Sequence, residues 1–167
     1  MFVYEKKLQY PVKIKNPNPQ LASFIISQYG GPDGELGASL RYLSQRYAMP
    51  YPELKGILTD IGVEELGHLE MVGTIVHQLT RNLSPDDPRM GSFAPYFTDH
   101  GVGVYPVAAS GAPWTASYIG VKADPICDLT EDLAAEQKAR VTYDNILRQS
   151  DDRDVSDVIR CLREREI

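Results

Sequence analysis

The chain has no run of eighteen consecutive apolar residues, the length that a membrane-spanning helix needs. It also has no segment rich in Lys and Arg. With 17 basic against 23 acidic residues, a net charge of −6 and a pI near 5.0, it lacks the basic face on which nucleic acid or an anionic membrane would bind. Met1 to Pro11 carries Glu5, Lys6 and Lys7 where a signal peptide would hold its apolar region, so the expectation is synthesis and folding in the cytoplasm. Cysteine is confined to Cys127 and Cys161, in separate helical patterns, which argues against a structural disulfide and reads as two buried free thiols. The 167 residues, 43% of them hydrophobic, suit one domain spanning 1–167 with a full core.

Within this chain, Leu54, Leu58, Ile61, Glu65, His68, Val72, Ile75 and Leu79 alternate spacings of four and three, one continuous stripe down a helix from about Pro52 to Arg81. Glu65 and His68 therefore point into the core, on neighbouring turns, where both can reach one metal ion. An ionised carboxylate left unpaired among Leu and Ile costs several kcal/mol, so a partner is required. Gly56, Gly62, Gly67 and Gly73 interrupt the same helix, each at about 1 kcal/mol against Ala, which points to close neighbours.

Residues 1–18 read as an extended arm. Phe2-Val3-Tyr4 and Tyr10 to Ile14 are β-prone, and Asn16-Pro17-Asn18-Pro19 admits neither helix nor central strand. The arm is expected to lie on the body of the domain or on a neighbouring subunit. A helix follows from Gln20 with Leu21, Phe24, Ile25 and Gln28 in phase. Gly30-Gly31-Pro32-Asp33-Gly34 then either breaks the segment into two helices or places Pro32 in the first turn of the second. Leu36, Leu40, Leu43 and Tyr47 are expected to form that second stripe. Residues 82–123 hold many Pro and Gly residues but also Phe93, Tyr96, Phe97, Tyr105, Trp114 and Tyr118, too apolar for disorder, so the segment reads as an ordered crossover. Asp124-Pro125 caps a third long helix with the expected stripe Leu129, Leu133, Glu136, Arg140, Tyr143 and Leu147. A short polar turn then predicts an antiparallel helix with Val155, Ile159, Leu162 and Glu166 inward.

Glu35, Glu65, Glu136 and Glu166 thus each supply an inward carboxylate. Glu35 and Glu65 are separated by thirty residues, as are Glu136 and Glu166, and Tyr42 and Tyr143 each lie seven residues after the first Glu of a pair. The chain is all-α, two helical hairpins of one design joined by the crossover. Carboxylates at this density raise one another's pKa, and two divalent cations would neutralise them. Oxygen ligands with so few imidazoles suit manganese or iron rather than copper or structural zinc. Glu53, Glu64, Glu70, Glu131 and Glu164 read as solvated helix residues, and His77 and His100 as structural or solvent-facing.

Across these residues the chain resembles the non-haem manganese catalases, in the short form found among spore-coat proteins. The matching segments are Lys7 to Tyr10, Gly30 to Glu35, Glu64 to Met71, Pro113 to Tyr118, Ala135 to Arg140 and Arg163 to Glu166. The resemblance implies a ferritin-like four-helix bundle, usually a homohexamer, with two manganese ions per subunit and hydrogen peroxide as substrate. Carried over by position, it implies Glu35, Glu65, His68 and Glu136 as metal ligands. It makes Glu166 a proton-handling carboxylate beside them and Tyr42 a hydrogen-bond donor to a ligand. The family also implies a histidine three residues after Glu166, where this sequence stops at Ile167 with the helical pattern cut in mid-helix. Two rival readings follow: a structural component of a spore coat, partnered by other coat proteins, with an incomplete metal site, and a di-iron oxidase or iron-handling protein on the same scaffold.

Overall fold

The structure is a computed structural model that describes residues 3–167. Phe2 of the β-prone arm lies outside the described residues, as does the side chain of His100. Among the described residues five α-helices run in order: α1 (Pro19–Gly30), α2 (Glu35–Gln45), α3 (Pro52–Thr80), α4 (Pro125–Gln149) and α5 (Arg153–Arg165). Helices α1 and α2, separated by residues 31–34, both pack against α3 and α4, so together they take the place of one member of a four-helix bundle. Pro32 sits in that break, outside both helices. The helix starts follow from local chemistry. Asn18, Asp124 and Asp152 accept backbone N–H groups at the starts of α1, α4 and α5, and Pro19, Pro52 and Pro125 occupy first positions where a missing N–H does no harm.

The arm lies along α3 of the same chain. Val12 and Ile14 are buried, and the Gln78 amide clamps the strand-like backbone by accepting from Ile14 N at 2.7 Å and donating to Val12 O at 2.9 Å. Met90, Phe93, Phe97 and Val107 join one large apolar cluster with α1, the C-terminal half of α3 and the α4–α5 hairpin. A smaller cluster of Ala38, Tyr42, Met49 and Leu58 closes the other end.

Two expected stripes are displaced. The buried face of α2 carries Glu35, Ala38, Ser39, Arg41, Tyr42 and Gln45, while Leu36, Leu40 and Leu43 are half-buried and Tyr47 is 75% exposed. On α4 the buried positions are Asp128, Asp132, Ala135, Ala139, Tyr143 and Ile146, whereas Leu133 is 71% exposed. Both shifts have one cause: buried polar partners replace hydrocarbon on these faces. Asp128 accepts the backbone N–H groups of Lys122 and Ala123, Gln45 Nε2 donates to Asp132 at 2.8 Å and to Gly120 O at 2.8 Å, and Arg41 Nη2 donates to Tyr118 O at 3.1 Å. On α3 the expected stripe is buried from Leu58 to Leu79 except at Ile61, which is 36% exposed, and Leu54 is half-buried against the smaller cluster. Cys127 is exposed and Cys161 half-buried, both free, because the cysteine positions fall off the inward faces.

Candidate metal centre

Between the two apolar clusters, α2, α3 and the end of α5 bring Glu35, Glu65, His68 and Glu166 together, with one donor atom from each within 4.8 Å of the others. All four are at most 4% exposed. His68 Nδ1 lies 2.9 Å from Glu65 Oε2 and 3.8 Å from Glu35 Oε2, so this nitrogen faces the cluster. Glu136, half-buried on α4, is set into the same group through Tyr42, whose hydroxyl donates to Glu136 Oε1. Tyr143 makes the mirrored contact, its hydroxyl donating to Glu35 Oε1. Sequence reasoning placed Tyr143 on the inward face without assigning it a partner, although its seven-residue offset from Glu136 matched that of Tyr42 from Glu35.

The electrostatics are those of a crowded acidic cavity. Burial, reinforced by the charges of Glu65, Glu166 and Glu136, raises the pKa of Glu35 well above the carboxylate range. Burial and the adjoining Glu136 push Glu166 up to about 11. For His68, burial opposes protonation, but the hydrogen bond and charge of Glu65 outweigh it and raise the pKa. Buried polar atoms are left without hydrogen-bond partners at His68 Nε2 and Glu166 Oε1. Carboxylates with one inward imidazole, held this close and too buried to ionise together, fit a divalent cation with oxygen-rich coordination.

Several side chains read as solvated prove to be engaged. Glu64 accepts from Arg165 Nε at 2.7 Å and from Gln9 Nε2 at 3.0 Å, and these hydrogen bonds hold its carboxyl below the usual range against the opposing effect of burial. Glu70 accepts from the Tyr4 hydroxyl at 2.5 Å, and Glu131 forms an ion pair with buried Arg41 at 3.1 Å. Their partners come from the arm, α5 and α2, segments whose approach to these helices no spacing rule reveals. His77 is exposed, as expected. Beside Glu136 and Tyr42 opens a cavity of about 320 Å³, walled by Ile57, Leu58, Ile61, Leu129 and Leu133, with Asp132 at its polar end. Burial raises the Asp132 pKa to about 7. No helix among the described residues is long and apolar enough to cross a membrane.

Residues 1–167 match the family model described as manganese containing catalase. The chain is 53% identical to Protein CotJC of Bacillus subtilis (strain 168), covering 100% of this chain and 88% of that protein. It is 37% identical to a probable manganese catalase of Clostridium acetobutylicum, over 99% of this chain and 75% of the relative. Among solved structures, KatB, a manganese catalase from Anabaena, superposes with a TM-score of 0.92 at 34% identity, over 99% of this chain and 74% of that one.

Proposed function

The chain belongs to the manganese-containing catalase family, with its ferritin-like helical fold, and from that premise we propose that it disproportionates two hydrogen peroxide molecules into two water molecules and one dioxygen. The observation that carries this reading is the buried convergence of Glu35, Glu65, His68 and Glu166 within 4.8 Å. Glu35, Glu65, His68 and Glu136 would hold two manganese ions per subunit. Such a pair, when bound, supplies a two-electron store that takes electrons from one peroxide and returns them to the next.

The remaining work falls to the protein. Glu166, buried beside the cluster with Oε1 free of hydrogen bonds, would give a proton to a departing hydroxide and take one from an incoming peroxide. Tyr42 and Tyr143 fix the orientation of Glu136 and Glu35. The apolar cavity of about 320 Å³ at Glu136 and Tyr42 gives a small neutral molecule such as peroxide a way to the carboxylates. Exposed Ile126, Leu133 and Ile57, at 81%, 71% and 53%, support a homo-oligomer, for which the family resemblance suggests a hexamer.

The 53% identity with a relative named Protein CotJC rather than catalase favours a second reading, a spore-coat component that keeps the bundle without turnover, after synthesis in the cytoplasm. Oxygen evolution from peroxide, measured on protein of known metal content, separates the possibilities. Manganese at about two ions per chain with rapid oxygen release supports the catalase. Iron with oxygen consumption supports an oxidase, and a metal-loaded but inert protein supports the coat component.

A further inference from the structure

His68 presents Nδ1 to the carboxylate cluster, so a metal ion there takes the Nδ1 lone pair and the proton of the neutral ring must sit on Nε2. Nε2 is buried and makes no hydrogen bond. Facing it, one helical turn earlier on α3, is Glu64, with Oε1 at 3.5 Å. This carboxylate is not free to wander. Arg165 Nε and Nη2 grip its two oxygens at 2.7 and 3.2 Å, and Gln9 Nε2 donates to Oε1 at 3.0 Å. Gln9 reaches over α3 at Gly67, where a Cβ would stand 3.1 Å from its Oε1.

We propose that Glu64 is the positioning residue of the centre: it accepts the Nε2–H of His68, fixes the tautomer that leaves Nδ1 free for the metal, and sets the plane of the ring. The inference rests on the manganese reading above. Hydrogen bonds within a functional site are often long until the site is occupied, and tighten then. A carboxylate behind a ligating histidine also makes the imidazole a stronger donor. The Arg165–Glu64–Gln9 clamp gives the arm and α5 a common hold on the ligand, so that the metal senses the docking of both through one side chain.

The test is a manganese titration of the full chain, followed by the electron paramagnetic resonance signal of free Mn²⁺, on Glu64→Ala, Glu64→Gln and Glu70→Ala beside the parent. Glu70→Ala removes the neighbouring arm contact with Tyr4 and leaves His68 untouched. Loss of such a supporting group weakens metal binding by about tenfold to a hundredfold, and this is expected for Glu64→Ala. Glu64→Gln, which keeps an oxygen acceptor, is expected to fall between Glu64→Ala and the parent, while Glu70→Ala binds like the parent. Circular dichroism and metal-free melting of each variant show that it is folded at the titration temperature, which separates positioning from folding. If Glu64→Ala binds manganese within twofold of the parent, or Glu70→Ala is weakened equally, the inference fails while the metal reading stands. If the parent takes up no manganese, both fail.

Discussion

Tyr42 of α2 reaches across to Glu136 of α4, and Tyr143 of α4 reaches back to Glu35 of α2, so two phenols cross-brace the helices that face each other over the centre. Each hydroxyl is the partner of a carboxylate that would otherwise lose a hydrogen bond in the interior. Tyr42→Phe and Tyr143→Phe are therefore each expected to destabilise the metal-free protein by about 1–3 kcal/mol and to release manganese faster during dialysis, measured by thermal unfolding and metal analysis. A single variant that melts and retains metal like the parent would contradict the bracing role of that tyrosine. The protonation of the centre gives a second prediction. Asp132 is raised from 3.8 to about 7 and Glu166 from 4.5 to about 11, burial being the largest cause in both, so the folded state binds more protons than the unfolded chain. These contributions are present below the unfolded values and are lost as pH rises, through about 4–7 for Asp132 and onward toward about 11 for Glu166. The metal-free melting temperature should fall between about pH 5 and about pH 9, and manganese loading should release protons and flatten the slope. A metal-free protein that gains stability over that range would refute this assignment of buried protons.

The helices differ in how far their sequence reveals them. Helix α3 is legible because its inward stripe is mostly hydrocarbon, and Glu65 and His68 stand out against Leu58, Val72 and Ile75. Helices α2 and α4 mislead, since their buried faces carry Arg41, Gln45, Asp128 and Asp132: Arg41 and Gln45 reach backbone carbonyls of the crossover 77 and 75 residues away, Asp132 accepts from Gln45, and Asp128 accepts the N–H groups of Lys122 and Ala123 just before its own helix. Glu35 is nevertheless buried with Glu65, His68 and Glu166, while Glu136, placed inward by the expected stripe of α4, is half-buried and joins them through Tyr42. Glu64, read as solvated, was missed because Gln9 and Arg165 lie 55 and 101 residues away. The helical glycines divide in the same way. Gly62, Gly67 and Gly73 meet Leu43, Gln9 and Tyr29, whereas a Cβ at Gly56 would meet nothing within 4 Å. Gly56→Ala should stabilise the chain by up to about 1 kcal/mol in urea unfolding. Gly30→Ala should cost more than about 3 kcal/mol, because its Cβ would stand 2.0 Å from Val107 N and 2.2 Å from Pro106 C, backbone atoms that cannot rotate away. Equal stabilities for the two variants would show that the α1–crossover contact yields more readily than its geometry implies.

At the scale of the molecule, the centre and the core join the same two hairpins by different means. Glu35, Glu65 and His68 belong to the first hairpin and Glu136 and Glu166 to the second, so bound metal would act as a cross-link between them. Independently, Val72, Ile75 and Leu79 of α3 share one apolar cluster with Tyr143, Ile146, Val158, Ile159 and Leu162 of the second hairpin. A small zinc domain unfolds without its ion because it has no such core, whereas here removal of metal leaves the cluster intact. Stripping manganese with a chelator is expected to preserve the far-ultraviolet circular dichroism at room temperature while lowering the melting temperature. Metal present at about a thousand times its dissociation constant contributes about 4 kcal/mol to the folded state, and that contribution should be lost on chelation and regained on adding Mn²⁺. Loss of helical signal on chelation would mean that the carboxylates, unneutralised, repel strongly enough to open the bundle against its core. An unchanged melting temperature would mean that the ions bind the folded and unfolded chains alike, which a site assembled from both hairpins cannot do.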